Sequence, residues 1–246
     1  MVVSPSGKFY GSEKVLFDYV VYSSLNYILY LPNRGEFFQK LSQTIGNDRL
    51  RVFRSTKTLY LKLFWFALLG KIDTLYLNEG GHNKYVLLLA KWFPKLRVVI
   101  HLRILEDTAP KRWPNELPTN VDLVTISLFM ANISPFHTIQ LYDPYPFSNV
   151  EMNFYPKDRS KPFCIGIIGR LGYSKGIAEV VKFLQLPGLL EHQPNWKICF
   201  FGELTAEIYN TPIPQILRSH PMVELMGFLT NKKEIYEQID WCVTCG

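Results

Sequence analysis

The sequence predicts an α/β fold of two Rossmann-like, doubly wound domains, the second of which is incomplete. Short apolar runs alternate with helix-like runs through most of the 246 residues, the pattern of a parallel sheet with helices on both faces. Residues 152–162 interrupt this alternation with two prolines, mixed charge and no periodicity, as a linker does. The alternation then restarts and stops after four more strand-like runs. We therefore predict domains at residues 1–155 and 156–246.

The first predicted domain contains six candidate strands, which are short continuous runs of Val, Ile, Leu and Tyr. Such runs are typical of strands buried on both faces, and helical patterns between them indicate parallel connections. The strands are predicted at Met1–Val3, Tyr27–Leu31, Thr74–Leu77, Val98–Leu102, Leu123–Ser127 and Thr138–Leu141, and the helices at Glu13–Ser23, Phe37–Ile45, Leu59–Leu69 and Lys84–Trp92.

The second predicted domain has the same alternation over a shorter length. Its strands are predicted at Phe163–Gly169, Lys197–Gly202, Val223–Gly227 and Trp241–Thr244, and its helices at Ile177–Leu184 and Glu234–Ile239. Ligands of doubly wound folds bind beyond the carboxyl ends of the strands. Candidate site residues are therefore sought in the loops that lead from strand to helix.

Composition and length restrict the class of protein. Apolar residues make up 48% of the chain and charged residues 20%, so a packed core is expected and global disorder is not. No apolar run approaches the roughly 18 residues that span a bilayer, and the first residues do not resemble a signal peptide. Four cysteines in a chain of this length do not indicate a disulfide framework. The expected location is the reducing cytoplasm.

The net charge of +6 is unevenly placed. Residues 151–246 contain ten basic and ten acidic side chains, so residues 1–150 carry the whole excess. This favours a surface that meets lipid headgroups, a phosphorylated substrate or nucleic acid, with an ordinary basic surface as the alternative. Nucleic acid is not predicted as a partner, because the basic residues are scattered among aromatics rather than clustered in a binding motif.

The loop between the first predicted strand and helix is a candidate anion site. Gly7 and Gly11 permit a tight turn and a close approach of a ligand to the backbone. Ser12 is a candidate N-cap for a helix that starts near Glu13, and the free N–H groups of such a helix attract anions. The glycine spacing is not that of a dinucleotide-binding loop, so a plain turn with a cap is an equal alternative.

A sharper candidate lies between Gly166 and Gly176, where a strand, a loop and a helix follow one another. Arg170 leaves the strand end and Lys175 precedes the helix. An Arg fork and a Lys point charge beside helix N–H groups can hold a diphosphate and offset the charge of a leaving group. The alternative is two solvated cations. Neither the nicotinamide fingerprint nor a Walker A sequence is present, so an oxidoreductase and a P-loop NTPase are not indicated.

His101 ends an apolar run and is expected at the carboxyl end of a buried strand, which faces the ligand crevice of such folds. It could donate a hydrogen bond to a ligand hydroxyl or support a reacting centre, and a purely structural histidine is the alternative. His82 follows the preceding strand and is a candidate for the same cleft. No cluster of Cys, His and Asp has the spacing of metal ligands, so no metal site is predicted.

Residues 57–71 form an apolar and aromatic run with a lysine at each end. The run is too short to span a bilayer, but Trp, Tyr and Lys favour the depth of the membrane interface. The alternative is a helix buried between the sheet and its neighbours.

Together these loops resemble the retaining GT-B glycosyltransferases of family 4, the glycosyl transferases group 1 type. Residues 169–176, which include Arg170 and Lys175, match the signature G-R-L-x-x-x-K-G, the most specific element. Residues 11–16 are similar to the family's G-G-x-E loop and the helix after it, with Tyr10 in place of the first glycine.

Three further segments carry the same resemblance. His101 matches the strand-end histidine of the family's N-terminal domain. Residues 122–127 resemble the strand ending in Ser that precedes the interdomain linker. Residues 223–228, followed by a helix and Asp240, resemble the late strand and helix that lead to the family's acidic motif. The resemblance covers nearly the whole chain.

The resemblance implies a nucleotide-sugar donor of the UDP or GDP type, bound by the second domain without a metal or another cofactor. The diphosphate would lie between the domains against Arg170 and Lys175, with Gly227 and Phe228 also contacting the substrate. The two cations would neutralise the leaving diphosphate, and the sugar would be transferred with retention of configuration.

The resemblance gives the first domain the acceptor, a glycan or a lipid-linked sugar. Gly11 and Ser12 would approach the phosphates or the acceptor, and His101 would be the catalytic residue that binds the transferred sugar. The implied setting is the biosynthesis of cell-surface polysaccharide or lipopolysaccharide. The protein would be cytoplasmic, with peripheral contact at an anionic inner membrane surface.

One departure from the family is large. The acidic E-x7-E motif and the last helices of the family would follow Gly246, over on the order of 100 residues. The sequence therefore leaves two interpretations open. One is a glycosyltransferase, or a truncated form of one. The other is a non-catalytic nucleotide-binding or assembly module that retains the GT-B fold.

Overall fold

A computed structural model describes residues 1–143, 162–189, 195–229 and 231–243. The chain divides into two compact units, Met1–Val150 and Glu151–Gly246. The predicted linker at 152–162 lies outside the described residues except for Pro162. The predicted domain boundary after residue 155 falls in the same stretch and stays a prediction.

The first unit is built on a seven-stranded sheet in which every pair of neighbouring strands is parallel. The strand order is β3-β2-β1-β4-β5-β6-β7, so the chain starts at the centre and winds outward to both edges. The strands are β1 (Val2–Val3), β2 (Leu29–Leu31), β3 (Leu50–Val52), β4 (Thr74–Leu77), β5 (Arg97–Leu102), β6 (Val121–Thr125) and β7 (Ile139–Gln140). The helices are α1 (Gly11–Tyr22), α2 (Glu36–Ile45), α3 (Thr56–Leu68), α4 (Asn83–Trp92) and α5 (Leu128–Ile133).

Helices cover both faces of this sheet, as its doubly wound order requires. One core packs α3 and α4 against the strands through side chains such as Leu63, Val86 and Ile100, all of which are fully buried. The other core packs α1 and α2 against β1 and β2, with Leu16 and Phe37 at its centre. Each fully buried side chain of this size stabilises the fold by about 1.5–3 kcal/mol relative to an exposed one.

The second unit has a four-stranded parallel sheet in the order β10-β9-β8-β11. Its strands are β8 (Phe163–Ile168), β9 (Trp196–Phe201), β10 (Val223–Gly227) and β11 (Trp241–Val243). Its helices are α6 (Ile177–Leu184), α7 (Ala206–Tyr209), α8 (Ile213–Ser219) and α9 (Lys232–Gln238). A disulfide joins Cys164 on β8 to Cys199 on β9, whereas the sequence had given no reason to expect one.

The two parallel sheets confirm the predicted α/β class, and all ten strands and all six helices predicted from the sequence have counterparts in the structure. Strand β3 was missed, because it has only three residues and its Arg51 interrupts the apolar run. The short helices α5, α7 and α8 were also missed. The predicted strand ending at Ser127 ends instead at Thr125, and the Ser127 hydroxyl accepts the Met130 N–H as the cap of α5.

Candidate functional site

Polar side chains are buried at the carboxyl edge of the sheet in the first unit. They lie at the carboxyl ends of β5 and β6, in the loops after β1, β4 and β5, or at the start of the helices that follow these strands. The buried ones are Ser4, Glu13, Asn78, Asn83, His101, Arg103, Asp107, Thr108 and Thr125. Because polar groups lose hydration when buried, so many at one edge require a dense hydrogen-bond network.

The loop between β1 and α1 is held close to the loop that follows β2. A methyl group added at Gly7 would come within 2.3 Å of the Asn33 side-chain oxygen, so a larger residue there would have to displace Asn33. The Gly7 carbonyl also accepts the Phe37 N–H at the start of α2, at 3.4 Å. This glycine therefore permits the close approach of two strand-to-helix loops.

The prediction that Ser12 caps α1 is wrong. The helix begins one residue earlier, at Gly11, and Tyr10 occupies the cap position. Buried Glu13 takes the capping role, because its Oε2 accepts the Tyr10 N–H at 3.1 Å. A carboxylate in this first turn also interacts favourably with the helix dipole.

Ser12 is instead paired across the sheet edge with the loop after β4. Its hydroxyl donates to Glu79 Oε1 at 2.5 Å. Burial raises the pKa of the Glu79 carboxyl, and the hydrogen bond from Ser12 opposes that shift. The neighbouring carboxylates of Glu13 and Asp107 raise the pKa further, because like charges disfavour ionisation. Glu79 is therefore a carboxyl of this edge that binds a proton more readily than a solvated glutamate does.

Arg103, directly after β5, connects this edge. Its Nε donates to both the backbone carbonyl and the side-chain oxygen of Asn78, each at 3.1 Å. Its Nη1 donates to Asp143 at 2.6 Å in an ion pair from which the arginine is almost fully shielded from water. Arg103 thereby joins the loop after β5 to Asn78 after β4 and to Asp143 after β7.

Asp107 organises the loop after β5. Its Oδ2 accepts the backbone N–H groups of Arg103 and Ile104, at 3.2 and 3.4 Å, and its Oδ1 forms an ion pair with Arg112 at 3.3 Å. Burial raises the pKa of this carboxyl, and the backbone hydrogen bonds lower it. A methyl group at Gly80 would collide with Asp107, which places the loops after β4 and β5 in direct contact.

His101 lies on β5 as the sequence predicted, but it is only 4% exposed. Its Nδ1 is 2.7 Å from the Tyr76 hydroxyl on β4, and its buried Nε2 has no hydrogen-bond partner among the described residues. Burial, assisted by the charge of Arg103, lowers the pKa of the imidazole to about 3. His101 is therefore neutral at physiological pH. Its imidazole can donate one hydrogen bond and accept another, but it does not act as a cation.

His82 does not share the surroundings of His101. Its Nδ1 is 3.3 Å from the Tyr60 hydroxyl of α3, and its ring contacts Phe53 edge to face. These neighbours belong to the core beneath α3 and α4, whereas the Tyr76 ring that contacts His101 packs against the core beneath α1 and α2. The two histidines thus contact different layers of the unit.

Three glycines mark the carboxyl ends of successive strands in the second unit. Gly169, Gly202 and Gly227 follow or end β8, β9 and β10, with φ values of 137°, 148° and 71°, which L side chains rarely adopt. A methyl group at Gly202 would lie 1.8 Å from the Gly169 carbonyl oxygen, so the two backbones touch. The Gly202 N–H donates to the Gly227 carbonyl at 2.8 Å. The ends of these strands therefore meet backbone to backbone.

The cationic loop extends from this glycine edge. Leu171 is buried and pairs with the chain beyond β9, its N–H donating to the Glu203 carbonyl at 2.9 Å. Arg170, just before it, and Lys175, in the short turn that precedes α6, are both exposed. Gly176 then adopts the left-handed conformation from which α6 starts. The structure thus fixes the loop backbone and leaves both cationic side chains at the surface.

Gly227 and Phe228 lie at the same edge, two strands from β8. The Phe228 ring is 69% exposed, so most of its apolar surface is not covered by the second unit. The sequence thus singled out residues that share two edges: Gly11, Ser12 and His101 in the first unit, and Arg170, Lys175, Gly227 and Phe228 in the second. Within the described ranges, no cluster of His, Cys, Asp and Glu could hold a metal ion.

Arg103, Asp107 and Glu79 were not predicted as site residues from the sequence. Their signal was present, because each follows a buried strand within a few residues, but isolated charges after a strand are common in loops. Gly202 was predicted as a strand end without a role, although it forms the closest backbone contact of the second edge.

No family model matches the chain, and no curated protein matches it. Solved structures, in contrast, are similar to the chain in fold. HepE of Anabaena in complex with UDP aligns with 98% of this chain and 72% of its own length, at 17% identity and a TM-score of 0.70. The same protein in complex with UDP-glucose gives a TM-score of 0.67. The lipopolysaccharide outer core galactosyltransferase WaaB aligns with 99% of this chain and 72% of its own length, at 13% identity and a TM-score of 0.64.

At such low identity the comparison concerns the fold. It agrees with the two parallel sheets and their doubly wound order. The chain has the GT-B fold of these glycosyltransferases.

Proposed function

We propose that the chain is a glycosyltransferase that uses a nucleotide sugar, with UDP as the favoured nucleotide and GDP as the other candidate. The cationic loop of Arg170 and Lys175, next to an edge of bare glycine backbone, is the observation that carries this proposal. Structures of similar fold were solved with UDP and UDP-glucose bound, which supports the same donor class here.

In this proposal the second unit binds the donor. Arg170 forms a fork of hydrogen bonds to the diphosphate, and Lys175 adds a point charge at the start of α6. Gly169 and Gly227, where a methyl group would meet only open space, let the ligand approach the backbone, and Gly202 lets the ends of β8 and β9 pack together. As the glycosidic bond to the diphosphate breaks, the two cations offset the negative charge on the departing group. The exposed Phe228 supplies an apolar surface for the base or the sugar.

The first unit takes the acceptor and the transferred sugar. His101 is proposed to hydrogen-bond the sugar through Nε2 as a neutral imidazole, after the ligand displaces the atoms that cover it. The start of α1, at Gly11 and Ser12, approaches the phosphates or the acceptor. Retention of configuration, a lipid-linked or glycan acceptor, a role in cell-surface polysaccharide assembly and peripheral contact with a membrane are further parts of the proposal.

The donor site is tested by measuring the affinity for UDP-glucose and GDP-mannose by titration calorimetry. Hydrogen bonds to charged groups contribute about 1.5–3 kcal/mol each, so Arg170→Ala with Lys175→Ala should weaken binding by at least roughly a hundredfold. The matched control is Lys182→Ala with Arg218→Ala, which removes two exposed cations from the same unit. Unchanged affinity in the first double variant would reject the donor site.

A separate assay distinguishes a transferase from a nucleotide-binding module. Release of UDP or GDP from the intact donor, with or without an acceptor, supports catalysis, and the anomeric configuration of the product, read by proton NMR, tests retention. Tight binding of the nucleotide sugar with no turnover would instead identify a binding module.

A further inference from the structure

The outward face of α3 is apolar, although the helix lies on the surface of the first unit. Its inner side buries Leu59 and Leu63 in the core. Its outer side exposes Leu61, Trp65 and Leu68, which recur at the spacing of one helix face. The buried-helix alternative drawn from the sequence therefore describes only the inner side of α3, and the interfacial alternative stays a hypothesis for the exposed outer side.

Helix α4 extends this surface. Leu88 and Trp92 are one turn apart on its exposed side, and Trp92 is 64% accessible to solvent. The Phe64 ring lies between the helices, with its centroid 6.0 Å from that of Trp65 and 5.4 Å from that of Trp92. The exposed residues of the two helices thus form one surface, which we call the α3–α4 face: Leu61, Trp65, Leu68, Leu88 and Trp92.

The segments that carry the α3–α4 face, residues 56–71 and 83–95, contain six lysines and no acidic residue. The lysines are Lys57, Lys62, Lys71, Lys84, Lys91 and Lys95. Their charge equals the net charge of the whole chain, +6, so the basic excess is concentrated where the apolar side chains are exposed.

A groove beside α4 is also lined by apolar and basic side chains. It encloses about 860 Å³ between α4 and residues 111–120, within the size range of ligand sites. Leu88 of the α3–α4 face lines it together with Lys84 and Lys91 of α4, and residues 111–113 add two further cations and a tryptophan. Glu116 is its one acidic lining residue, so the groove also favours an anion.

This combination indicates which partner covers the face. Tryptophan and lysine together favour the boundary between lipid headgroups and acyl chains, where an indole ring is half buried and an ammonium group meets phosphate. A second copy of this chain does not fit, because two such faces would oppose twelve lysines without any carboxylate from these segments.

We infer that the α3–α4 face docks the protein on an anionic phospholipid bilayer. Trp65, Trp92 and the exposed leucines enter the interface, and the lysines around them bind lipid phosphates. The docking is peripheral, and none of the helices among the described residues is long and apolar enough to cross a bilayer. The inference identifies the surface behind the membrane contact proposed above, but it requires neither donor binding nor catalysis by the chain.

The test is cosedimentation of the full chain with vesicles of phosphatidylcholine, with and without phosphatidylglycerol, at low and high salt. Binding is expected only with the anionic lipid and is expected to weaken as salt is added. Each lysine near such a surface contributes a factor of about five, so Lys84→Gln with Lys91→Gln should reduce the partition constant by roughly 25-fold. Trp65→Ala with Trp92→Ala should weaken binding at both salt concentrations, because it removes apolar contact.

Two matched controls test whether the loss of charge or of apolar surface matters only on the α3–α4 face. Lys14→Gln with Lys182→Gln removes the same charge elsewhere, and Phe129→Ala removes an equally exposed ring from α5. Both should bind vesicles nearly as the wild type does. Circular dichroism and UDP-glucose titration on the same samples show that the variants are folded, and they separate loss of docking from loss of the donor site.

Three results would overturn the inference. The first is no pelleting of the wild type with anionic vesicles at low salt. The second is equal loss of binding in the control variants. The third is self-association of the chain that the Trp65 and Trp92 substitutions abolish while vesicle binding is unaffected, which would make this face a protein interface.

Discussion

Acidification should destabilise the first unit through His101. The imidazole is buried beside Tyr76, and burial lowers its pKa from 6.5 to about 3 in the folded protein. In the unfolded chain it returns to its ordinary pKa. Below that value the unfolded state therefore binds the extra proton and the folded state does not, so stability is full above the ordinary pKa and is lost as the pH falls through it.

The size of the effect follows from the two pKa values. Between about pH 7 and pH 5 the folded imidazole stays neutral, while the unfolded one becomes almost fully charged. Linkage then gives a loss of about 2 kcal/mol in the free energy of unfolding of this unit from His101 alone. A loss of this size is a sizeable part of the stability of a typical domain, about 5–15 kcal/mol.

The measurement is amide hydrogen exchange of β5, because it reports on the first unit separately from the second. His101→Asn places an amide where Nδ1 contacts Tyr76 but does not titrate, so its loss of stability on acidification should be smaller by about 2 kcal/mol. The control is His137→Gln, which changes an exposed histidine and should keep the wild-type dependence. The reasoning is refuted if the carbon-13 shifts of the folded His101 ring titrate near pH 6.5, or if His101→Asn retains the full pH dependence.

Two further predictions concern the two candidate edges. Gly202→Ala forces a methyl group against the Gly169 carbonyl at a positive φ, so we expect a loss of roughly 2–4 kcal/mol and weaker UDP-glucose binding. Gly11→Ala, where space is open at the start of α1, is the matched control and should not destabilise the fold, as thermal unfolding of both variants will show. Glu79→Gln retains an acceptor for Ser12 and removes a carboxyl whose pKa burial raises. A raised pKa means that wild-type stability falls as the pH rises from about 4.5 upward through the folded pKa, so the variant should show a smaller fall in urea unfolding. A pH profile identical to that of the wild type would contradict the placement of Glu79.

The residues 163–177 show why some of the site could be predicted. The strand, the positive-φ glycines and the helix start are local properties of the backbone, and each follows from residues only a few positions apart. The positions of Arg170 and Lys175 along the loop are fixed by the chain itself. No tertiary contact was therefore needed to predict that both would lie between β8 and α6.

The polar edge of the first unit shows why the rest could not be predicted. Ser12 and Glu79 are 67 residues apart, and Arg103 and Asp143 are 40 apart, so their pairing depends on the order of strands in the sheet. The error at Ser12 had the same cause. Serine is a good cap in isolation, but here its hydroxyl is used by a distant carboxylate and Glu13 takes the capping role.

The sequence alone determined the α/β class, most of the elements and the location of the positive charge. Periodicity, glycine position and charge are local properties that depend only on the order of residues. Only the tertiary structure decided which charges are paired and which are exposed. It buried His101 and thereby made it neutral, enclosed Arg103 between Asn78 and Asp143, and turned one side of α3 to solvent beside α4. These outcomes depend on which side chains meet across strands and helices, since dehydration and proximity of charge arise only when distant segments pack together.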